Sequence, residues 1–225
     1  MGKVLAVKKA TGLFALTAAL VLAACGNQQT SDPIVDTIKA LAGGLLGGGG
    51  AVEPAEPVTR AMIESSDVPM LMALVPSRGA QALLYQVGRN RGVAIYSTAD
   101  ASTLSLRDGI LVASRGLGND LMSAAVPTAA QVLSGSGSHN RSYFTLDGED
   151  QTQRADFTCV LSRHASEPVD IIERRYAVHE VKETCSSSEH AFVNRYWIDG
   201  GGSIVQSIQW LGTDVGFLQL ADLSI

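Results

Sequence analysis

Short segments in which apolar and polar residues alternate, separated by turn residues, dominate the chain from residue 58 onward. Alternation with a period of two is typical of strands that bury one face of a sheet. Short turns between consecutive strands favour antiparallel pairing, because parallel strands need long crossover connections. The pattern predicts strands over residues 70–75, 82–87, 93–98, 104–107, 110–115, 142–146, 155–163, 171–184, 192–198, 204–211 and 215–220.

Helical spacing is rare in this region. A short N-terminal helix is predicted over residues 58–64 and a helical turn near residues 128–133. Residues 116–137 are otherwise expected to be irregular, and the glycine-rich stretch with Ser136, Ser138 and His139 is expected to be a solvated loop. The predicted fold class is all-β: an antiparallel meander curled as a barrel or sandwich, with few helical turns.

The most specific hairpin signal is Asp108-Gly109, a dipeptide favoured in two-residue turns. Pairing across such a turn places one set of side chains on a single face, as a core requires. The predicted set is Leu104, Leu106, Leu111 and Ala113.

The last predicted hairpin concentrates the aromatic residues. A three-residue loop at positions 200–202 would pair Phe192 with Trp210 on the core face and leave Arg195, Trp197 and Gln209 on the other. An apolar ring beside polar groups suits stacking on a sugar. The alternative is that both tryptophans pack inside, and a register shift of one residue would reverse the assignment.

The first 24 residues read as an export signal. Three lysines precede an uncharged, mostly apolar run over residues 10–22, which is shorter than the roughly 20 residues of a membrane span. The run ends in Leu22-Ala23-Ala24-Cys25, which resembles a bacterial lipobox. The alternative is an ordinary buried cysteine after an apolar helix.

The lipobox predicts that residues 1–24 are a signal peptide and that Cys25 carries acyl chains such as palmitate. Several chains give stable membrane attachment. Gly26, rather than aspartate, follows the cysteine, as in lipoproteins of the outer membrane. We therefore predict a lipid-anchored tether over residues 25–57, with a short helix possible within it. One periplasmic β domain is predicted over residues 58–225, attached to the outer membrane.

The net charge leaves the predicted fold and anchor unchanged, but it excludes one class of protein, the nucleic-acid binders. The full chain of 225 residues has a net charge of −5. Removal of the leader would leave 14 basic against 22 acidic residues, a net charge of −8. Nucleic-acid binders normally show a basic patch, so no nucleic-acid partner is expected.

With Cys25 lipidated, Cys159 and Cys185 remain as a pair. An oxidising compartment favours a disulfide between them, and its loop of about 27 residues would contribute about 3.5 kcal/mol on the chain-entropy model. The competing interpretation is a zinc site with His179 and His190, although the spacing matches no usual ligand pattern. No metal or cofactor is predicted.

Catalytic patterns are missing from the sequence. Residues 116–121 begin like a dinucleotide-binding loop, but Leu121 occupies the third glycine position. The chain is therefore predicted not to be an enzyme. Arg115 and Asp120, which flank this turn, are a candidate site for an acidic glycan or a partner loop; a local salt bridge or a solvated loop is the alternative.

Three segments together resemble a known family. They are Arg-Asp-Gly-Ile-Leu-Val-Ala-Ser-Arg-Gly-Leu-Gly-Asn-Asp-Leu at 107–121, Asn-Arg-Tyr-Trp at 194–197 and Ser-Ile-Gln-Trp-Leu-Gly at 207–212. With the lipobox, they are similar to the YjbF lipoproteins, which are related to the group-four capsule lipoprotein GfcB. The resemblance implies an outer-membrane lipoprotein of exopolysaccharide or capsule gene clusters, with an antiparallel β domain facing the periplasm. It implies no catalytic residues.

The sequence thus favours a non-enzymatic accessory lipoprotein in exopolysaccharide or capsule production or export. Its expected partners are the outer membrane, through the anchor, and either the polysaccharide or proteins of the export machinery. The alternatives are an envelope enzyme that trims or modifies the polysaccharide, and a scaffold that contacts only proteins.

Overall fold

Strands make up most of the computed structural model, which describes residues 57–146, 148–149 and 151–224. Two short helices, α1 (Arg60–Glu64) and α2 (Ala129–Ser134), and a 3-10 turn (Pro76–Arg78) accompany them. The strands are β1 (Met70–Val75), β2 (Ala80–Asn90), β3 (Val93–Ser97), β4 (Thr103–Arg107), β5 (Ile110–Arg115), β6 (Ser123–Ala125), β7 (Ser136–Leu146), β8 (Thr152–Ala165), β9 (Val169–Ile171), β10 (Arg174–Tyr176), β11 (Val178–Ser186), β12 (Ala191–Asp199), β13 (Ile204–Gly212) and β14 (Gly216–Asp222).

Twelve of the strands form one antiparallel sheet in the order β5-β4-β3-β2-β1-β14-β13-β12-β11-β8-β7-β6. The two end strands approach each other, and Ser114 N donates to Leu121 O at 2.9 Å just before β6. The sheet is therefore a nearly closed barrel, and β9 and β10 form a separate hairpin. The predicted all-β class is confirmed. Of the two predicted forms, barrel and sandwich, the sheet adopts the barrel.

The barrel has two ends with different connections. At the front end lie the tight turns at residues 91–92 and 108–109, the loop at 200–203 and helix α2. At the back end lie the loops at 98–102, 116–122 and 187–190. Alternate residues of each strand point inward, as in Leu71, Ala73 and Val75 of β1, because the period of a strand is two.

Helix α2 forms where the sequence predicts a helical turn. Thr128 accepts a hydrogen bond from Gln131 N and the Gln131 side chain reciprocates, which is a capping box. Gly135 ends the helix at φ +62°, where a Cβ would lie 2.8 Å from that of Arg163. Val132 then packs against Ile198 and other interior residues, so α2 partly closes the front end.

Three stretches differ from the prediction. Strand β6 lies within residues 116–137, where no strand was expected. The predicted strand over 171–184 is divided, because Ile172 and Glu173 adopt positive φ and turn the chain between β9 and β10. That turn contains no glycine or asparagine, the residues that usually indicate positive φ. The predicted loop around Ser136, Ser138 and His139 is wrong as well: β7 begins at Ser136 and pairs with β8 throughout. Backbone pairing there compensates for low side-chain propensity.

Bulges shift the register in both predicted hairpins. Leu106 pairs with Leu111 as predicted, but Leu104 then faces Ser114 while Ala113 faces Ser105. In the last hairpin, Ile198 pairs with Ile204 as predicted, but the next pair is Trp197 with Gln206. An extra residue in one strand moves every later partner by one position, which alternation alone cannot reveal.

The outer face of the sheet carries a second apolar cluster near the front end. Ile63 of α1 and residues of the β9–β10 hairpin pack there, and Arg60 ties them together. Its guanidinium donates to the carbonyls of Ile171, Ile172 and Leu223 at 2.9 to 3.2 Å. None of the helices in the described part of the chain has the length and apolarity that a membrane crossing requires.

Candidate functional site

Arg115 and Asp120 organise a loop at the back end. The Asp120 carboxylate accepts hydrogen bonds from Ser114 Oγ, Gly116 N and Leu117 N at 2.8 to 3.0 Å. Arg115 donates to the carbonyls of Ser114 and Leu121. Both side chains therefore bind their own loop, which matches the solvated-loop alternative more closely than a glycan site.

Trp197 lies on the outer face beside Arg195, as predicted, but the residue is only 4% exposed. Ile63, Val169 and other residues of the outer cluster cover it. Arg195 pairs with Glu180 and packs over the ring, with its guanidinium carbon 4.7 Å from the ring centroid. The predicted exposed stacking surface is therefore wrong: the sequence shows the alternation but not that another segment covers this face.

Gln209 faces the barrel interior instead of the outer surface, because the bulge in β13 reverses its side. Its Oε1 accepts from Leu111 N at 2.8 Å, and its Nε2 donates to Gly109 O at 2.8 Å. The side-chain amide thus binds the unpaired edge of β5 as a neighbouring strand would. It also joins two of the segments on which the family resemblance rests.

Cys159 and Cys185 form the predicted disulfide, which links paired positions of β8 and β11. Their bond excludes the zinc alternative, since the thiolates are no longer available as ligands. His139, Cys159 and Glu183 approach one another within 4.8 Å in the described part of the chain. This set does not fit a metal, because the sulfur is oxidised and the carboxylate is bound to an arginine.

A charged layer crosses the interior above the disulfide, with Glu183 at its centre. Glu183 Oε2 accepts from Arg141 Nη1 at 2.5 Å, and both residues are fully buried. His139 Nε2 lies 2.8 Å from Glu183 Oε1. Two further donors, Asn194 Nδ2 and the Tyr196 hydroxyl, reach Glu183 Oε2 at 2.7 Å.

The pKa of Glu183 shows how strongly the layer is coupled. Burial pushes this pKa upward, but the Arg141 charge and the hydrogen bonds outweigh it and lower the pKa to about 2. The pKa of Arg141 is raised despite its burial, chiefly by the fields of Tyr143, Tyr196 and Glu183. Both groups therefore stay charged at neutral pH, and the layer holds β7, β11 and β12 together.

The front end opens into a cavity of about 380 Å³. Apolar side chains of β1, β3, β4 and β14 form its inner wall. The turn at 108–109, the end of the 200–203 loop, the start of β13 and helix α2 form its rim. The volume lies in the range of about 300–1,000 Å³ typical of small-molecule sites, which often occupy barrel mouths. This cavity is the candidate functional site.

Three ionisable side chains converge on the cavity from separate strands. Asp222 of β14 lies opposite Leu71, and Tyr96 of β3 lies opposite Leu104, so both face inward. Arg89 of β2 pairs with inward-facing Ala94 and reaches the rim. Asp108 adds a second carboxylate at the rim.

The pKa values of Asp222 and Tyr96 are both raised. Burial raises the pKa of Asp222, opposed only by the hydrogen bond from Ser224 N. Burial also raises the pKa of Tyr96, and the Asp222 charge adds to it while Arg89 lowers it. A carboxyl group desolvated without a cation partner is a frequent property of functional clefts.

The sequence reasoning missed Arg89, Tyr96 and Asp222. A signal was present for Asp222, which continues the inward series Leu218 and Leu220 at a spacing of two. A carboxylate in such a register must face the interior, but the predicted strand ended at residue 220. The same rule of spacing applies to His139, Arg141 and Glu183. Each lies two positions from a buried residue of its strand and therefore shares its inward face.

Comparison with known proteins gives one family and one fold. A family model described as "Group 4 capsule polysaccharide lipoprotein gfcB, YjbF" matches residues 20–223. The solved structure of the hypothetical lipoprotein YmcC from Escherichia coli (K12) is similar at a TM-score of 0.64, with 18% identity. The similarity covers 75% of this chain and 89% of that one, and at this identity it shows the fold alone. A search of curated proteins gave no match.

Proposed function

The chain belongs to the YjbF family of group 4 capsule polysaccharide lipoproteins, and on that premise we propose that it is a non-enzymatic accessory protein of exopolysaccharide or capsule production or export. In this proposal it is anchored in the outer membrane by lipid on Cys25 and faces the periplasm. The lipobox supports the anchor, and Gly26 after the cysteine supports the outer membrane.

The observation that carries the binding role is the front-end cavity. It combines apolar walls with a carboxyl, a phenol and a guanidinium from three strands, which is the composition of a site for a small polar ligand. The charged layer around Glu183 lies apart from this cavity, since it joins β7, β11 and β12. We assign the polysaccharide, rather than a protein of the export machinery, to this cavity.

Deletion of the gene tests the proposed function. Surface and secreted polysaccharide should fall strongly in the deletion strain and return when the full chain is supplied on a plasmid. Cys25→Ala should fail to restore it, while the protein should leave the membrane fraction. Unchanged polysaccharide in the deletion strain would refute the proposal, and full restoration by the Cys25→Ala chain would refute the anchor.

One observation favours an enzyme as the second candidate. Asp222 has a raised pKa in a cleft, as a general acid requires, and Asp108 supplies another carboxylate at the rim. Incubation of the purified protein with the host polysaccharide distinguishes the two functions. New reducing ends that disappear in Asp222→Asn would establish the enzyme, whereas an unchanged polymer supports binding alone.

A further inference from the structure

The two ends of the barrel contain separate cavities. The back-end cavity is lined by Ala73, Leu84, Leu104 and other residues that do not line the front-end cavity. Leu84, Leu104 and Leu218 lie between the two ends and are almost completely buried. The front-end cavity is therefore closed at its base, and a polymer cannot pass through the described barrel.

Closure at the base limits what can enter. A chain inside a blind cavity must present an end or a side branch, since an internal segment needs two openings. The volume of about 380 Å³ also suits a short ligand, because it lies near the lower limit for small-molecule sites. The shape thus favours a terminal unit over an extended stretch.

The lining indicates the chemical class of that unit. The Tyr96 ring, Leu71, Ala94 and Leu106 offer the apolar surface on which one face of a sugar ring rests. The Tyr96 hydroxyl and the Asp222 carboxyl offer hydrogen bonds to sugar hydroxyl groups. The cavity lining holds two carboxyl groups, Asp108 and Asp222, against one guanidinium, Arg89, so an anionic ligand is disfavoured.

Resting on the proposed function, we propose that the front-end cavity binds a single neutral sugar unit at the end or side branch of the polysaccharide. Asp222 accepts hydrogen bonds from the hydroxyl groups of the sugar, Tyr96 packs against the sugar ring and contributes its own hydroxyl, and helix α2 forms part of the rim. The protein would thereby recognise chain ends and leave the bulk of the polymer outside.

The test is binding to the detergent-solubilised full-length lipoprotein, followed by calorimetry and by saturation-transfer NMR. The probes are the methyl glycosides of glucose, galactose and mannose and the monosaccharides released by acid from the host polysaccharide. At least one neutral sugar should bind, and the anionic glucuronic acid should bind less tightly. No binding by any neutral probe at millimolar concentration would overturn the inference.

Two helix variants test the location. Ala129 of α2 lines the cavity, whereas its neighbour Ala130 is exposed away from it. Ala129→Trp should abolish binding by filling the cavity, and Ala130→Trp should bind as the wild type does. Equal binding by both variants would place the sugar elsewhere. An unchanged melting temperature in each variant shows that the barrel is intact.

Two milder variants test the chemistry. Tyr96→Phe removes one hydrogen bond and should weaken binding about fivefold, and Asp222→Asn should weaken it at least about tenfold. Tyr85→Phe is the matched control, because Tyr85 belongs to the neighbouring strand and is 43% exposed. Wild-type affinity in both cavity variants would overturn the assigned contacts.

End recognition is tested by comparing a linear with a cyclic oligosaccharide. If glucose is among the sugars bound, the two are neutral glucans with the same number of sugar rings. Otherwise they are an oligosaccharide of the host polysaccharide and its cyclised form. The linear form should bind and the cyclic form should not. Equal binding would overturn the inference about chain ends. If no sugar binds while the gene deletion still removes the polysaccharide, this inference fails and the proposed function stands.

Discussion

Glu183 and Asp222 are carboxyl groups on the inner face of one barrel, and their surroundings differ sharply. Glu183 has an arginine and three hydrogen-bond donors around it, and its pKa falls to about 2. Asp222 has one backbone donor, and its pKa rises. Fully buried Glu183 is therefore a satisfied structural charge, whereas partly buried Asp222 is an unsatisfied group at a cavity.

This difference distinguishes a charge that stabilises the barrel from one that is available to bind a ligand. A charge whose partners are all internal stabilises the fold and leaves nothing for a ligand to bind. A carboxyl group that is desolvated without such partners reduces stability, and it gains most when a ligand supplies the missing hydrogen bonds. Variants of the two residues should accordingly change stability in opposite directions.

The largest effect is expected from Glu183→Gln. It leaves Arg141 charged and unpaired in the interior, which should reduce the free energy of unfolding by about 3–5 kcal/mol. Urea denaturation of the purified protein measures the loss. The control is Glu189→Gln in an exposed loop, for which we expect a change below about 0.5 kcal/mol. A loss of similar size in both variants would contradict a special role for the charged layer.

Removal of the disulfide should be nearly as costly. Cys185 lies two residues beyond Glu183 on β11, so the bond fixes the strand that carries the layer. Replacing both cysteines by serine should lower the free energy of unfolding by about 3.5 kcal/mol, the chain-entropy value for this loop. Addition of a reductant to the wild type should approach the same value, and an unchanged urea midpoint would contradict it.

Acid should act through Glu183 in a defined pH range. The pKa of its carboxyl is about 2 in the folded protein, below the ordinary value of 4.5. Its contribution to the free energy of unfolding is therefore complete above pH 4.5. This contribution, about 3 kcal/mol in total, is lost as the pH falls toward 2. Urea midpoints from pH 7 to pH 3 should fall for the wild type and change less for Glu183→Gln. Parallel curves would contradict this account.

The smallest effect, of opposite sign, is expected from Asp222→Asn. Because the pKa of Asp222 is raised, its contribution to the stability of the fold is present at low pH, where the carboxyl is protonated. That contribution is lost as the pH rises above 3.8. At pH 7 the variant should be more stable than the wild type by up to about 1 kcal/mol, and at pH 3 the two should agree. Asp170→Asn, at the exposed position of β9, serves as the control. Destabilisation of Asp222→Asn at pH 7 would show that Asp222 is a structural charge like Glu183.

The sequence predicted the strands better than their partners. Alternation and turn signals located β1, β3, β4, β5 and α2, because local propensity and the nearest turn decide those elements. The β9–β10 turn was missed because residues that rarely adopt positive φ occupy it. The start of β7 was missed because glycine and serine rarely indicate a strand.

The candidate site was less predictable than the fold. Gln209 was assigned to the wrong face because one bulge shifts the register, and Trp197 was assigned to the surface although α1 and the β9–β10 hairpin cover it. Arg89, Tyr96 and Asp222 are distant in sequence and meet only because the sheet closes. Nothing local to any of the three residues indicates that meeting.

By itself, the sequence determined the all-β class, the pairing of Cys159 with Cys185, and the segments that identify the family. Each of these depends on residue identity, on short-range spacing or on the count of cysteines. Only the tertiary structure decided which inward charges are neutralised and which face a cavity. The reason is physical: burial and electrostatic compensation are sums over neighbours, and closure of the barrel brings those neighbours from strands far apart in the chain.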